Sequence, residues 1–223
     1  MKKSNLFRLR ARGDNACFTR PEMKVERVSY DVMTPSAARG VLEAILWKPA
    51  ICWKILQIDV LKPIKWESVR RNEVGAVIPA GSVKTAMKTG TGDLGMYVEE
   101  QRQQRAGLFL RDVDYVIHAE FEMTEKSGPD DNVTKFEQMF IRRASEGQCF
   151  HRPYFGCREF PVDFEFIPKD AALLPTISET RDLGWMLYDI AYPRKVGEEP
   201  MPQFFHAQMK EGSINLRNVE VRS

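Results

Sequence analysis

One stretch, from Tyr30 to Trp53, constrains this chain more than any other: it reads as the end of a strand, a capped helix and the start of a second strand. Thr34 suits an N-cap, because its hydroxyl can accept a free N–H of the first turn. Pro35 then falls at the first helical position, where its missing N–H costs nothing. Val41, Ala44, Ile45 and Lys48 follow i, i+3, i+4, i+7 spacing, and Ala38 and Leu42 widen the apolar stripe. Pro49 is expected to end the helix. Gly40 costs about 1 kcal/mol in mid-helix relative to alanine. Two readings follow: tight helix–sheet packing at Gly40, or a nucleic-acid backbone passing over it beside Arg39.

The flanking pattern supplies more elements. Leu6 to Arg12 alternates arginines against apolar residues and reads as a first strand, with Gly13-Asp14-Asn15 as a turn. Val25 to Val32 reads as extended. Ile51 to Pro63 is a strong strand, apolar on both sides at first. Lys65 to Gly107 is a basic, partly irregular insertion, of a length uncommon without a function. Leu108 to Met123 is a strand. Asn132 to Ser145 is an amphipathic helix capped by Asp130 or Asp131 and ended by Gly147. Phe160 to Ile167 alternates as a half-buried strand. Leu183 to Tyr192, Gln203 to Met209 and Ser213 to Val221 read as further strands.

This order is β, α, β, insertion, β, α, β, the split βαβ arrangement of a ferredoxin-like or RNA-recognition-type domain. The expected class is α+β: a domain over 1–170 with an insertion at about 64–107, then a small antiparallel β-sheet over 171–223. At 223 residues and 43% hydrophobic, the chain can build such a core. Its net charge of only +2 means that nucleic-acid binding requires local clusters. Cysteines 17, 52, 149 and 157 form no C-x-x-C pair, and Met1 to Asn5 lacks an apolar signal region, so a reduced cytoplasmic chain is expected. No run has the roughly 18 apolar residues of a membrane span.

Chemistry-bearing motifs are few. Gly90-Thr-Gly-Asp-Leu-Gly95 fits G-x-G-x-x-G, but no strand precedes it, so a loop is the preferred reading. Cys149, His151 and Cys157 do not match a paired zinc-ligand spacing and are expected to bracket a buried turn; no metal is assigned. His118 sits in an apolar strand, on the side of Val116 and Glu120, as either a structural histidine or a proton carrier near neutral pH. Arg8, Arg10, Arg39, Lys48, Arg70, Arg71, Lys84, Arg102, Arg105 and Arg111, with Trp47, Trp53 and Trp66, could form a phosphate-binding surface with stacking partners.

Four blocks in order carry a resemblance: Met33-Thr-Pro-Ser-Ala-Ala-Arg-Gly40, Arg70-Arg-Asn-Glu73, Arg102-Gln-Gln-Arg105 running into Leu110-Arg-Asp-Val-Asp-Tyr115, and Pro153-Tyr-Phe-Gly-Cys-Arg-Glu-Phe160. From about Asn5 to Leu216 the chain resembles the CRISPR-associated endoribonucleases of type I-C systems, members of the RAMP superfamily. The resemblance implies a ferredoxin-like domain with a C-terminal sheet, binding of the CRISPR repeat hairpin, and cleavage of the precursor RNA without metal or cofactor. It also implies retention of the 5′ handle, and assembly with backbone and large subunits into a DNA-surveillance complex; double-stranded DNA as a further ligand stays open. In that chemistry a base deprotonates a ribose 2′-OH, which attacks the adjacent phosphate to give a 2′,3′-cyclic phosphate. The family's catalytic set is a tyrosine near the end of the first helix and a Lys-His pair in the strand after the insertion. Here the histidine matches His118, the lysine position holds Ile117 and the tyrosine position holds Trp47. Lys48, Tyr30 and Tyr115 are candidates to substitute. The resemblance thus nominates His118, Trp47 and Lys48 for catalysis and Arg8, Arg39, Arg70, Arg71, Arg105 and Arg111 for RNA binding. A non-catalytic subunit that holds the 5′ handle is the alternative.

Overall fold

In the computed structural model, which describes residues 2–23, 25–92, 94–193, 197 and 199–223, alternation along the chain builds one large antiparallel sheet with few helices. The elements are β1 (Phe7–Ala16), α1 (Pro35–Ile45), β2 (Ile51–Val60), β3 (Trp66–Val74), α2 (Ala80–Thr89), β4 (Arg102–Met123), α3 (Val133–Ser145), β5 (Asp163–Ile167), β6 (Arg181–Ala191), β7 (Met201–Lys210), β8 (Ser213–Asn215) and β9 (Val221–Arg222). The main strand order is β5-β1-β4-β2-β8-β7-β6, with β3 on β4 and β9 on β7. The C-terminal strands therefore continue the same sheet through the β2–β8 pairing, Ile58 opposite Ile214. Two units are distinguishable: Met1–Glu67 with Leu108–Ser223, and Ser68–Gly107.

In the first unit the sheet's periodicity sorts the residues by face. Phe7, Leu9 and Ala11 on β1 and Ile117, Ala119 and Phe121 on β4 are buried, while Arg8, Arg10 and Arg12 alternate to the other side. Phe7, Trp53, Phe121 and Phe140 interlock, with ring centroids 4.7 to 6.1 Å apart. Trp53 is thus a core residue, its Nε1–H donating to the Leu46 carbonyl at 2.9 Å; it cannot stack on RNA as expected.

Local signals set the helix starts. Thr34 Oγ1 accepts from the Ala37 N–H at 3.3 Å. On α3 the cap is Asn132, whose Oδ1 accepts from the Lys135 N–H at 2.9 Å. Asp131, expected as a cap, instead pairs with Lys135. Helix α1 stops at Ile45, short of Lys48. Lys48 precedes a proline and is driven from helical geometry; Leu46 is already extended, with φ −144°. A Cβ on the exposed Gly40 would meet nothing within 4 Å, so the tight packing considered there is absent.

Gly13-Asp14-Asn15 is not a turn: β1 runs through it, Gly13 opposite Val113 and Asn15 opposite Arg111. A Cβ on Gly13 would sit 3.0 Å from the Pro161 carbonyl and 3.2 Å from the Phe155 ring, so glycine serves close approach there. Val25 to Val32, expected to be extended, holds a turn and isolated bridges at Val28 and Ser29. In the second unit, β3 and the first part of β4 accompany α2, and Arg105 pairs with Glu73 at 3.2 Å. Gly90 is the left-handed C-cap of α2, so the glycine motif closes a helix rather than opening one; its Asp93 lies outside the described residues.

Candidate active site

Strand register lines up a polar row across the sheet. Ile167, Arg8, His118, Gln57 and Asn215 are successive partners on β5, β1, β4, β2 and β8. Directly paired residues share a face, so His118 stands between Arg8 and Gln57. The next row places Glu165, Arg10, Val116, Asp59 and Ser213 side by side. A register shift between Ile55 and Gln57 keeps Gln57 and Asp59 on this face.

His118 is 8% exposed and its Nε2 lies 2.7 Å from Asp59 Oδ2. Asp59 Oδ1 accepts from Gln57 Nε2 at 2.7 Å and from Ser213 Oγ at 2.6 Å. Burial works against ionising this carboxyl, but the hydrogen bonds from His118, Ser213 and Gln57 prevail and hold it below the usual carboxylate range. At neutral pH Asp59 is therefore an acceptor only, and the neutral imidazole must carry its proton on Nε2. The lone pair is left on Nδ1. Among the described residues Nδ1 has no hydrogen-bond partner, and it is not sealed, since the buried unpartnered side-chain atom found among them is Arg105 Nε. His118 lines a cavity of about 520 Å³ together with Arg8, Glu137, Ile141 and Lys169. A carboxylate that fixes the tautomer and an imidazole whose second nitrogen is left without a partner among the described residues form a proton-accepting pair.

The other nominated residues lie in different surroundings. Trp47 is 59% exposed. Lys48 acts electrostatically on Asp131, at the start of α3. The following Pro49 and Ala50 carbonyls accept from Thr124 and Ser127, beyond the end of β4. Ile51 pairs with Met123; His118 lies five steps back along β4 from that position, about 17 Å at a strand's rise. The structure thus does not gather Trp47 and Lys48 around the imidazole. Tyr30 and Tyr115 are buried, and burial pushes both phenols up, so neither is a base near neutral pH. Ile117 is fully buried, facing away from His118.

Several arginines are already engaged. Arg8 donates to the carbonyls of Pro168, Lys169 and Ala171. Arg39 makes a two-armed pair with Asp189 and reaches Glu43 at 3.5 Å. Arg105 meets Glu73 and Gln103. Arg70 and Arg111 are exposed. Cys157 associates with Cys17 rather than with Cys149, and no cluster of three metal-ligating side chains occurs among the described residues.

Asp59 and Lys169 escaped the reading of the sequence. A signal for Asp59 was present: a carboxylate inside Ile58-Asp59-Val60 must find partners if the strand is buried.

The family model described as CRISPR-associated protein (Cas_Cas5), of the Cas5d type, matches residues 6–217. The chain is 55% identical over 218 residues to the CRISPR pre-crRNA endoribonuclease Cas5d of Mannheimia succiniciproducens, covering 96% of this chain and 95% of that protein. It is 39% identical over 219 residues to the protein of the same name from Thermus thermophilus, covering 92% and 88%. A solved CRISPR-associated protein superposes with a TM-score of 0.72 at 23% identity, covering 100% of this chain and 99% of that one, which speaks to the fold alone. Matched from residue 6 to 217 and more than half identical to a relative covered almost end to end, the chain belongs to the Cas5d group of CRISPR-associated Cas5 proteins, the type I-C members of the RAMP superfamily.

Proposed function

We propose that this chain is a pre-crRNA endoribonuclease: it binds the CRISPR repeat hairpin, cuts it without a metal ion, and stays on the 5′ handle within a type I-C surveillance complex. The observation that carries the reading is the 55% identity, over nearly the whole of both chains, to a protein named for that activity. We read 1–170 as a ferredoxin-like RNA-binding domain, which the antiparallel order β5-β1-β4-β2 with α1 and α3 as crossovers supports. Residues 171–223 supply the sheet's extension.

In the proposed mechanism His118 Nδ1 takes the 2′-OH proton, Asp59 holds the ring and balances the imidazolium, and the 2′-oxygen attacks the neighbouring phosphorus; the P–O5′ bond breaks, the 5′-oxygen leaves and is protonated to a 5′-hydroxyl, and a 2′,3′-cyclic phosphate remains. Arg8 and Lys169, on the same cavity, place positive charge near the phosphate, where charge builds in the transition state. Trp47, distant from this base, offers a stacking face to RNA, and Lys48, Arg70, Arg71 and Arg111 contact phosphates. Arg39 and Arg105, nominated on the same grounds, act through their carboxylate pairs.

Repeat RNA incubated in EDTA tests the reading, with a 2′-deoxy substrate at the cut site and the His118→Ala variant as controls. Cleavage by the intact chain alone is the expected result. Unchanged cutting by His118→Ala removes His118 from the mechanism. The placement of Trp47 and Ile117 where the family carries tyrosine and lysine favours a second reading, a non-catalytic holder of the handle. That reading predicts tight binding of repeat RNA with no product.

A further inference from the structure

We infer that Cys17 and Cys157 form an oxidisable dithiol that peroxide converts into an intramolecular disulfide. The two lie far apart in sequence, and the fold clamps them together. The Cys17 N–H donates to the Phe155 carbonyl at 3.1 Å, and the Cys157 N–H donates to the same oxygen at 2.9 Å. Between them Gly156 has φ +77°, and a Cβ there would lie 1.9 Å from the Cys17 carbonyl oxygen. The 155–157 turn thus rests directly on the Cys17 backbone, which brings the two side chains close enough for each to act on the other's titration.

The two thiols differ as an attacking and a resolving sulfur must. Cys17 is fully buried, and its Sγ also lies 3.4 Å from Thr19 Oγ1. Cys157 is partly exposed and faces Arg27, which also lies 3.5 Å from Glu159. The hydrogen bond from Cys17, then the positive charge of Arg27, pull the Cys157 thiol down to about 6, while its partner Cys17 is pushed well above the usual thiol range. Both influences favour the thiolate at Cys157, the reactive form. In the reaction the Cys157 thiolate attacks one peroxide oxygen, breaks the O–O bond and becomes a sulfenic acid, with hydroxide leaving. Cys17 sulfur then attacks Cys157 sulfur and expels the hydroxyl as water. Two thiols lose two electrons and their two protons; one hydrogen peroxide becomes two waters.

The bond would join the end of β1 to the Tyr154–Cys157 segment. Both contribute to a cavity of about 420 Å³ lined by Phe18, Thr19, Tyr154 and Gly156, distinct from the His118 cleft. The test is made on the full chain. It is treated with hydrogen peroxide, quenched with iodoacetamide and digested, and its peptides are weighed with and without dithiothreitol. The expected product is a Cys17–Cys157 linked peptide that dithiothreitol splits, with Cys52 and Cys149 still alkylated. Before oxidation, alkylation of Cys157 should show a pH midpoint below that of an ordinary thiol. In Cys17→Ser, peroxide should leave a sulfenic acid on Cys157 that dimedone traps. Oxidation of Cys52 or Cys149 without the linked peptide, or a Cys157 midpoint at an ordinary thiol value, would overturn the inference. The wild-type mapping decides the matter even if a variant fails to fold.

Discussion

Replacing Asp59 with asparagine probes the proposed active site with almost no change of volume. Asp59 Oδ1 accepts from Gln57 and Ser213, so the asparagine oxygen is best left facing them and its NH2 turns to His118. The amide then donates to Nε2, and the imidazole must move its proton to Nδ1. The lone pair now points at residue 59, and Nδ1 becomes a donor that can no longer accept a proton. General-base catalysis is typically worth 10²- to 10⁴-fold. The single-turnover cleavage rate should therefore fall by about that factor, roughly 3 to 5 kcal/mol in the barrier. Repeat-RNA affinity should stay within about twofold, because neither Arg8 nor Lys169, the cations proposed to face the phosphate, is altered. Stability should fall by about 1.5 to 3 kcal/mol, the worth of a hydrogen bond to a charged group. Because the folded carboxyl titrates below its ordinary value, its stabilisation is complete above about pH 3.9 and is lost as the pH falls through the lowered value. The gap between wild-type and variant unfolding curves should shrink on acidification through that range. Quenched-flow cleavage assays, filter binding and urea melts at several pH values measure the three quantities. A folded Asp59→Asn protein that binds and cuts RNA at the wild-type rate would refute the role given to this pair.

Three further substitutions separate structure from RNA contact. Gly40→Ala should stabilise the chain by about 0.5 to 1 kcal/mol in thermal melts, since the new methyl meets nothing; weaker RNA binding by the same variant would place the backbone of RNA over α1. Arg39→Ala should cost about 1 to 3 kcal/mol by leaving the partly buried Asp189 without its two-armed partner, with no change in the salt dependence of binding. Lys169→Ala should leave the melting temperature alone and lower the salt slope of RNA binding by about one.

Much of the frame was legible because strand alternation and helix caps are local. Leu9, Ile117 and Phe121 announce a buried face by their spacing, and Thr34-Pro35 announces a helix start without reference to the rest of the chain. Local signals also misled where a distant partner overrode them. Gly13-Asp14-Asn15 has turn composition, yet β4 holds it in register as strand. Trp53 has the look of a stacking residue, but Phe7, Phe121 and Phe140 enclose it.

His118 could be nominated from its residue type and strand, whereas its chemistry depended on what stands opposite. Periodicity states which face a side chain takes; it does not state which residue of another strand lies beside it. Asp59, Gln57 and Ser213 come from β2 and β8, and only the paired register, with one shift after Ile55, carries them to the imidazole. The same holds for Cys17 and Cys157, which local spacing separates and a turn packed on β1 unites. A chain's pattern encodes faces because side-chain direction repeats along its own backbone, while neighbours across a sheet are chosen by hydrogen bonds between segments that the pattern does not connect.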